Sequence, residues 1–300
     1  MLIIINIMKG VGKMAIKMNN WTNANRKVIC ELDNFRVVEH QKDLSVSRAS
    51  AVNEYFSSQM NVKRRQVEIS LDGRGTVKTQ AGAMQMLVGN ISMETGVKSA
   101  KSFLGSMVKS AVTNETAVKP EYSGVGQLIL EPTYKHIILQ EASDWGPAGL
   151  VIEDGMFLAS QGSVQHSVIS LTNDIGTAFL SNEGLFNLCF TGSGVVALES
   201  YVPMEELIEI ELHDDVLKID GNMAVCWSGS LRFSIEKATK KFLGSLASGE
   251  GFVNVYRGTG KVWVSPVSGT RESMPKGMSN GGSTDKDPKP SGGFLDSLFG

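Results

Sequence analysis

Two stretches of this sequence repeat each other, which limits the folds that the chain can adopt. Residues 150–169 align without a gap with residues 217–236, at an offset of 67 residues and with six identities in twenty positions. A weaker third copy precedes them, with Gly89 in the place of Gly162. A unit this short cannot bury its apolar face alone, so neighbouring copies are expected to pack together. We therefore predict three modules that share one core.

Each copy is followed by a Gly-x-Gly pair that leads into an apolar run. The pairs are Gly124/Gly126, Gly192/Gly194 and Gly258/Gly260. Glycine contributes 32 of the 300 residues, against an average usage of about 7%. Because these glycine pairs recur at matching places after each copy, we predict that they lie at turns or at close approaches of the backbone. The recurrence does not predict a dinucleotide site, because each pair lacks the third glycine and opens into a strand rather than a helix.

The hydrophobic pattern predicts β-strands through most of the chain. Alternation typical of strands with one buried face occurs at residues 67–71, 208–212 and 217–219. Asp-Gly pairs, which favour tight hairpins, begin at Asp72, Asp154 and Asp220. Helical periodicity is limited to residues 46–59, 99–109 and 236–247. We therefore predict a mainly β protein of sandwich-like or barrel-like modules with few short helices.

These patterns divide the chain into six segments. They are a start-site extension (1–17), an N-terminal segment (18–65), three β modules (66–140, 141–214 and 215–267) and a flexible Gly/Ser/Pro tail (268–300). The first segment has two interpretations, because Met1, Met8, Met14 and Met18 are alternative start positions. Either residues 1–17 belong to the fold, or they precede the true start and are excluded from it.

The tail changes composition abruptly. Residues 268–300 contain 7 Gly, 6 Ser and 3 Pro, a composition typical of a flexible linker. Near its end, Phe294, Leu295, Leu298 and Phe299 fall at helical spacing and form a small apolar face. Two interpretations stay open: a frayed terminus, or a peptide that docks on another subunit, another protein or a membrane surface. Peripheral membrane contact has weak support, because few basic residues lie near this face.

Composition and residue spacing exclude several classes of protein. The 29 Lys and Arg residues balance 31 Asp and Glu residues, giving a net charge of -2, so no overall field selects a nucleic acid or an anionic lipid. Three cysteines, at Cys30, Cys189 and Cys226, make no C-x-x-C pair, which indicates reduced thiols and a cytoplasmic protein. We expect no cofactor and no metal site.

Catalytic and metal-binding patterns are absent from the sequence. The four histidines are scattered, and His166 takes the place that Phe233 and Met93 occupy in the other copies. This equivalence predicts a space-filling role for His166 rather than a ligand. Residues 277–281 satisfy G-x-S-x-G, but a nucleophile elbow requires a strand-to-helix turn and this copy lies in the predicted tail.

One basic triplet, Lys63, Arg64 and Arg65, is the only candidate in the sequence for binding an anion or RNA. Tryptophans are not interleaved with it, as stacking platforms for single-stranded RNA would be. A basic triplet just before a strand is usually a solvated edge that discourages unwanted strand pairing. The sequence therefore gives little support for nucleic-acid binding.

Five motifs together carry a family resemblance. They are Gly-Ala-Met-Gln-Met at 82–86, Thr-Ala-Val-Lys-Pro-Glu-Tyr at 116–122, Glu-Pro-Thr-Tyr-Lys-His at 131–136, Glu-Asp-Gly-Met-Phe-Leu-Ala at 153–159 and Gly-Thr-Gly-Lys-Val-Trp at 258–263. In combination they resemble a bacterial branch of the altered-inheritance-of-mitochondria family, over residues 62–266. The resemblance implies a fold like that of the tryptophan RNA-binding attenuator protein, with three β modules around a pseudo-threefold axis. It implies no catalytic residues, and mitochondrial members are associated with inner-membrane organisation.

Two functions from different classes follow. The first is a non-enzymatic assembly or scaffold protein that forms a homo-oligomer or binds a protein partner, with a link to membrane or envelope maintenance. It is favoured because three β modules expose sheet edges that must be covered or recruited into an interface. The alternative is a β module that binds a small ligand or RNA. An enzyme ranks third, since no constellation of residues supports one.

Overall fold

The computed structural model describes residues 17–95, 119–170, 186–220, 223–237 and 252–267. These residues form strands β1 (Arg26–Leu32), β2 (Phe35–His40), β3 (Arg65–Thr79), β4 (Met84–Glu94), β5 (Glu121–Leu130), β6 (His136–Glu141), β7 (Leu150–Ile152), β8 (Phe157–Gln161), β9 (Gln165–Ser170), β10 (Phe186–Thr191), β11 (Val195–Ser200), β12 (Ile208–Asp220), β13 (Ala224–Ser228), β14 (Arg232–Lys237) and β15 (Phe252–Val264). Within the same ranges, the helices are α1 (Ala51–Gln59) and two short 3-10 helices, Ala142–Trp145 and Met204–Glu206. The prediction of a mainly β protein with few helices is confirmed.

The strands pair antiparallel in two sheets. The first sheet has the order β1-β2-β3-β8-β11-β6, with β5 beside β3 and β4 beside β5. Its first and last strands, β1 and β6, come into contact, so this sheet curls. The second sheet has the order β12-β15-β13-β7-β10-β9, with β14 beside β15. Strands from the predicted second module (141–214) occur in both sheets. The order of the strands does not by itself produce the predicted pseudo-threefold axis.

A shared core joins the two sheets. Its members include Phe157, Val196 and Leu198 from the first sheet, and Phe190 and Trp263 from the second. Phe157 stacks on Phe190 with ring centroids 5.5 Å apart. Aromatic pairs of this kind add to the stabilisation that comes from apolar burial. The two sheets are therefore held together by packing.

The Asp-Gly pairs have two different roles in the fold. Asp154-Gly155 forms a turn between β7 and β8, but these two strands lie in different sheets and do not pair, so the predicted hairpin does not form. Asp72-Gly73 lies inside β3, where the register with β5 shifts between Asp72 and Thr76, so the hairpin prediction is wrong there. Gly73 has a φ of +86°, and a bulge uses that conformation as readily as a turn does. Gly221 lies outside the described residues.

Only one of the predicted helices falls within the described residues. It is α1, which occupies the second half of the 46–59 stretch. The 99–109 stretch and nearly all of the 236–247 stretch lie outside the described residues. Glu236 and Lys237, at the start of the latter, end strand β14 rather than beginning a helix.

Three residues that the alignment of the copies treats as equivalent each lie opposite an aromatic residue on the neighbouring strand. Met93 lies opposite Tyr122, His166 opposite Phe190, and Phe233 opposite Tyr256. Each of the three aromatic partners on the second strand stands two positions before the first glycine of a Gly-x-Gly pair. This agreement supports the alignment locally, and the threefold repeat as a whole stays a prediction.

Close backbone contact between β4 and β5 explains one group of glycines. Gly89 pairs with Gly126 across the two strands. A Cβ atom at Gly89 would lie 2.5 Å from the Val125 carbonyl oxygen and 2.8 Å from the Gly126 Cα. The φ of Gly89 is +115°, a conformation that side-chain-bearing residues rarely adopt. Both obstacles are backbone atoms, which cannot rotate away.

We expect Gly89→Ala to lower the free energy of unfolding by about 2–3 kcal/mol, because it combines a backbone clash with an unfavourable φ. Gly75→Ala is the matched control, since Gly75 lies in β3 and a Cβ atom at this position would have no atom within 4 Å. Its effect should stay below about 1 kcal/mol. Urea unfolding followed by circular dichroism measures both. Equal losses in the two variants would contradict the role given to Gly89.

Candidate functional site

Two members of the basic triplet share one buried carboxylate. Arg65 is 2% exposed, and its Nε donates to Glu39 Oε2 at 3.0 Å. Lys63 Nζ lies 3.2 Å from Glu39 Oε1. Arg65 also donates to the backbone and side-chain oxygens of Asn61, at 3.1 and 2.9 Å. The expectation of a solvated edge is therefore wrong for Arg65, because β2 places Glu39 against the start of β3.

The third member, Arg64, contacts Asp43 and Tyr134 rather than Glu39. Its Nη2 lies 2.6 Å from Asp43 Oδ2, and its Nε donates to the Tyr134 hydroxyl at 3.0 Å. These contacts engage all three cations of the triplet within the fold, so the triplet does not form one open basic surface. The tail residues Phe294, Leu295, Leu298 and Phe299 lie outside the described residues.

We expect Glu39→Gln to cost about 3 kcal/mol of unfolding free energy, since it leaves the buried Arg65 guanidinium without its carboxylate. Glu31→Gln is the matched control, because the Glu31 side chain is 60% exposed and lies 3.7 Å from Arg36. An exposed pair of this kind contributes about 1 kcal/mol or less. Chemical denaturation of both variants at pH 7 makes the comparison. A Glu39→Gln loss no larger than the control's would refute the network's structural role.

A polar cleft of about 750 Å³ opens on the first sheet. The turn between β1 and β2, the bulge of β3 and the turn after β8 line it. Its charged groups are Glu31, Asp33, Asp72 and Arg36. Three carboxylates against one guanidinium give the cleft an acidic character. Such a cleft suits a small polar or cationic ligand better than an anion.

Gln161 braces this cleft. Its Nε2 donates to Asp33 Oδ2 at 2.5 Å and to Asn34 Oδ1 at 2.8 Å. Its Oε1 accepts a 3.0 Å hydrogen bond from the Val195 backbone N–H. One amide therefore ties the β1–β2 turn to β8 and β11. Because its donors and acceptor are used within the fold, Gln161 shapes the cleft rather than offering free groups to a ligand.

Ser160 and His166 form the one pair that superficially resembles a catalytic dyad in the described part of the chain. Ser160 Oγ and His166 Nε2 are 2.8 Å apart. Ser160 is fully buried, and within the described residues His166 Nδ1 has no hydrogen-bond partner. A triad needs an accessible nucleophile and a group that orients the base. Neither is present among these residues.

His166 instead belongs to an aromatic cluster. Its ring centroid lies 4.9 Å from that of Phe190 and 5.1 Å from that of Phe157. Burial lowers the pKa of His166 from 6.5 to about 3, with a smaller contribution from the positive charges of Lys119 and Lys78. The ring is therefore neutral at pH 7, as the predicted space-filling role requires.

This depressed pKa predicts a loss of stability in acid. As the pH falls below 6.5, the unfolded chain takes up a proton at His166 and the folded chain does not, down to about pH 3. Stability should fall by up to about 1.4 kcal/mol per pH unit in that range. His166→Phe removes this dependence. Urea unfolding at pH 7 and pH 5 measures the drop in unfolding free energy between the two pH values. We expect this drop to be about 2 kcal/mol smaller in the variant than in the unmodified chain. Identical drops would contradict a neutral, buried His166.

The helix α1 presents an apolar face to the surface. We call Val52, Tyr55, Phe56 and Met60 the α1 face. Their exposed fractions are 64%, 55%, 61% and 77%, and α1 contributes no buried residue. Positions three to four apart lie on one side of a helix. Four large apolar side chains therefore form one stripe that no described part of the chain covers.

Metal-binding and membrane-spanning features are both missing from the described ranges. No three His, Cys, Asp or Glu side chains in these ranges are grouped so that they could hold a metal ion. No helix in the same part of the chain has the length and apolar character that crossing a membrane requires.

One family model matches most of the chain. The model of the family described as Mitochondrial biogenesis AIM24 matches residues 56–267. The chain belongs to this family. The matched region begins inside α1 and ends with the last described residue, so it includes the whole second sheet and every strand of the first sheet except β1 and β2. The resemblance seen in the sequence motifs over residues 62–266 is thereby confirmed.

Two proteins of Streptococcus pyogenes are similar to this chain. An uncharacterised protein of Streptococcus pyogenes serotype M6 is 29% identical over 209 residues, which cover 67% of this chain and 81% of that protein. A crystal structure of a Streptococcus pyogenes protein is 27% identical, with a TM-score of 0.50, and the match covers 70% of this chain and 90% of that one. The names of both proteins state no activity.

Sequence patterns alone do not reveal the α1 face or the polar cleft. They predict the helix, but its apolar stripe looks like any stripe that packs on a core, and only the structure shows that it is uncovered. The cleft is built from two turns and a bulge that are far apart in sequence. No local pattern brings Asp33, Asp72 and Gln161 together.

Proposed function

We propose that this chain is a non-enzymatic assembly protein that self-associates through the α1 face. The observation that carries the proposal is the exposure of four large apolar side chains, three on α1 and one on its C-cap residue Met60, with no buried residue in the helix. Exposed apolar patches on soluble domains commonly mark interaction sites. The partner that we propose is a second copy of this chain, since symmetric homodimers are the commonest oligomers.

The size of the α1 face supports a reversible dimer. At about 150–200 Å² per large side chain, and with more than half of each exposed, the face offers on the order of 400 Å² per copy. Stable complexes bury about 800 Å² per partner. Two such faces in contact would therefore hold copies together weakly, with exchange on dilution. The tail, with Phe294, Leu295, Leu298 and Phe299, could add area to this contact.

A non-catalytic role is supported by the Ser160–His166 pair. Among the described residues it is the arrangement closest to a catalytic one, and its serine is buried beside the His166 ring of the aromatic cluster. A cytoplasmic location is supported by the three free cysteines, of which Cys189 and Cys226 are buried. Burial raises the pKa values of both thiols, which makes them unreactive structural residues.

The polar cleft supports a second candidate function, which is binding of a small polar or cationic ligand. Its volume, about 750 Å³, lies within the range of known ligand sites. Its carboxylates, Glu31, Asp33 and Asp72, would attract a cation. A titration of the full chain with spermidine, followed by calorimetry, tests this candidate. Saturable binding that Asp33→Asn weakens supports it, and no heat at millimolar ligand rejects it.

We expect Phe56→Glu to abolish self-association, because two like charges would face each other across the α1 contact. Tyr201→Glu is the matched control, since Tyr201 is 58% exposed against 61% for Phe56 and lies between β11 and β12. Light scattering coupled to size-exclusion chromatography, at 10-fold steps of protein concentration, measures the mass of each variant.

The expected outcome is a mass that rises with concentration for the unmodified chain and for Tyr201→Glu, and a monomer mass for Phe56→Glu. A monomer at every concentration for all three proteins would reject self-association. An oligomer that persists in Phe56→Glu would show that the contact lies elsewhere and would reject the role of the α1 face.

A further inference from the structure

A second cavity, of about 520 Å³, lies beside the N-terminal end of β1. Its polar lining includes Arg26, His40, Arg64 and Gln85, together with the Trp21 ring. Methionine and proline side chains supply apolar walls. No carboxylate is among the lining residues, in contrast to the acidic cleft. The cavity therefore combines hydrogen-bond donors with a flat aromatic surface.

Arg26 supplies positive charge to this cavity. Its guanidinium lies 5.5 Å from the centroid of the Trp21 ring and donates to the Asn20 backbone carbonyl. Within the residues that the structure describes, it has no ion pair with a carboxylate. A guanidinium held over an indole is a stacking platform on which a planar group can rest.

Trp21 adds a donor without a partner. Its indole Nε1 is buried and makes no hydrogen bond within the described part of the chain. A buried N–H group normally has an acceptor. An anionic oxygen in the cavity would provide one, and Arg26 would hold it by charge-assisted hydrogen bonds.

Arg64 is the member of the basic triplet that reaches this cavity. Its Nε and Nη2 are held by Tyr134 and Asp43, which fixes the guanidinium in place. The positive charges of Arg26 and Arg64 also act on His40. Burial lowers the pKa of His40, and the charges of Arg26 and Arg64 lower it further, against a Gln66 hydrogen bond and Asp43. His40 is thus neutral at pH 7, with its Nε2 3.2 Å from Gln66 Oε1.

We propose that this cavity binds a phosphate carried on a planar heterocycle, the chemistry of a nucleoside monophosphate. The phosphate contacts Arg26, Arg64 and the Trp21 N–H. The ring lies against the Trp21 and Pro132 surfaces, with the Gln85 amide at its edge. The volume suits one nucleotide, since ligand cavities usually measure about 300–1,000 Å³. The same chemistry is presented by a free nucleotide and by the phosphorylated end of a single-stranded RNA.

The test is calorimetric titration of the full chain at low salt with adenosine monophosphate, adenosine, inorganic phosphate and a 5′-phosphorylated RNA hexamer. Adenosine monophosphate should bind at least about tenfold more tightly than adenosine or phosphate, because only it uses both halves of the cavity. A hexamer that binds more tightly than the mononucleotide identifies an RNA end as the source. A hexamer that binds more weakly identifies a free nucleotide.

Two variants locate the site. Arg26→Gln should weaken the binding of adenosine monophosphate about tenfold or more. Trp21→Leu should weaken the binding of adenosine monophosphate by a larger factor than that of phosphate, because it removes the stacking surface as well as the indole N–H. Arg36→Gln, in the acidic cleft, is the matched control and should bind normally. Circular dichroism confirms that each variant folds.

Three results would overturn the proposal. They are no binding of adenosine monophosphate at millimolar concentration, equal binding by Arg26→Gln and the unmodified chain, or an equal loss in Arg36→Gln. The outcome is independent of self-association, because none of the α1 face residues lines this cavity.

Discussion

The packing between the two sheets is the constraint on which the rest of the structure depends. Strands on both sides contribute to one core, in which Trp145 meets Trp263 edge to face at 4.9 Å and Phe157 stacks on Phe190. Small β modules of about 60 residues bury a small share of their apolar surface and are only marginally stable alone. Because this core uses one face of β6, β8 and β11 in the first sheet and one face of β7, β10 and β13 in the second, the candidate functional surfaces lie at the turns, at the N-terminal segment and on α1.

Much of the fold could be predicted from the sequence, because strand signals are local. Alternation at residues 67–71 and 208–212 correctly predicts β3 and β12. His166 has the space-filling role predicted for it, and the structure shows that it packs on Phe190. The Asp72-Gly73 pair predicts a hairpin turn but forms a bulge, since the same φ serves both and only the pairing of β3 with β5 distinguishes them. The division into two sheets depends on long-range contacts that no local pattern carries.

The candidate sites were harder to predict, since charge and exposure depend on neighbours in space. Lys63, Arg64 and Arg65 look alike in the sequence, yet Arg65 is buried against Glu39 and Arg64 reaches a cavity beside Trp21. Within the fold, Lys63 and Arg65 thus form a structural ion-pair network with Glu39, while Arg64 contributes to the proposed phosphate site. The α1 face shows the opposite case, in which a pattern typical of a buried helix is left exposed.

Self-association through the α1 face is the central claim, and hydrogen–deuterium exchange of the full chain at several concentrations tests it most directly. Backbone amides of a nine-residue helix with no buried side chain exchange readily on their own. Contact with a second copy should slow them. We expect protection of residues 51–60 that grows with protein concentration while β12 and β15 stay unchanged. Protection of α1 that is the same at every concentration would contradict the claim.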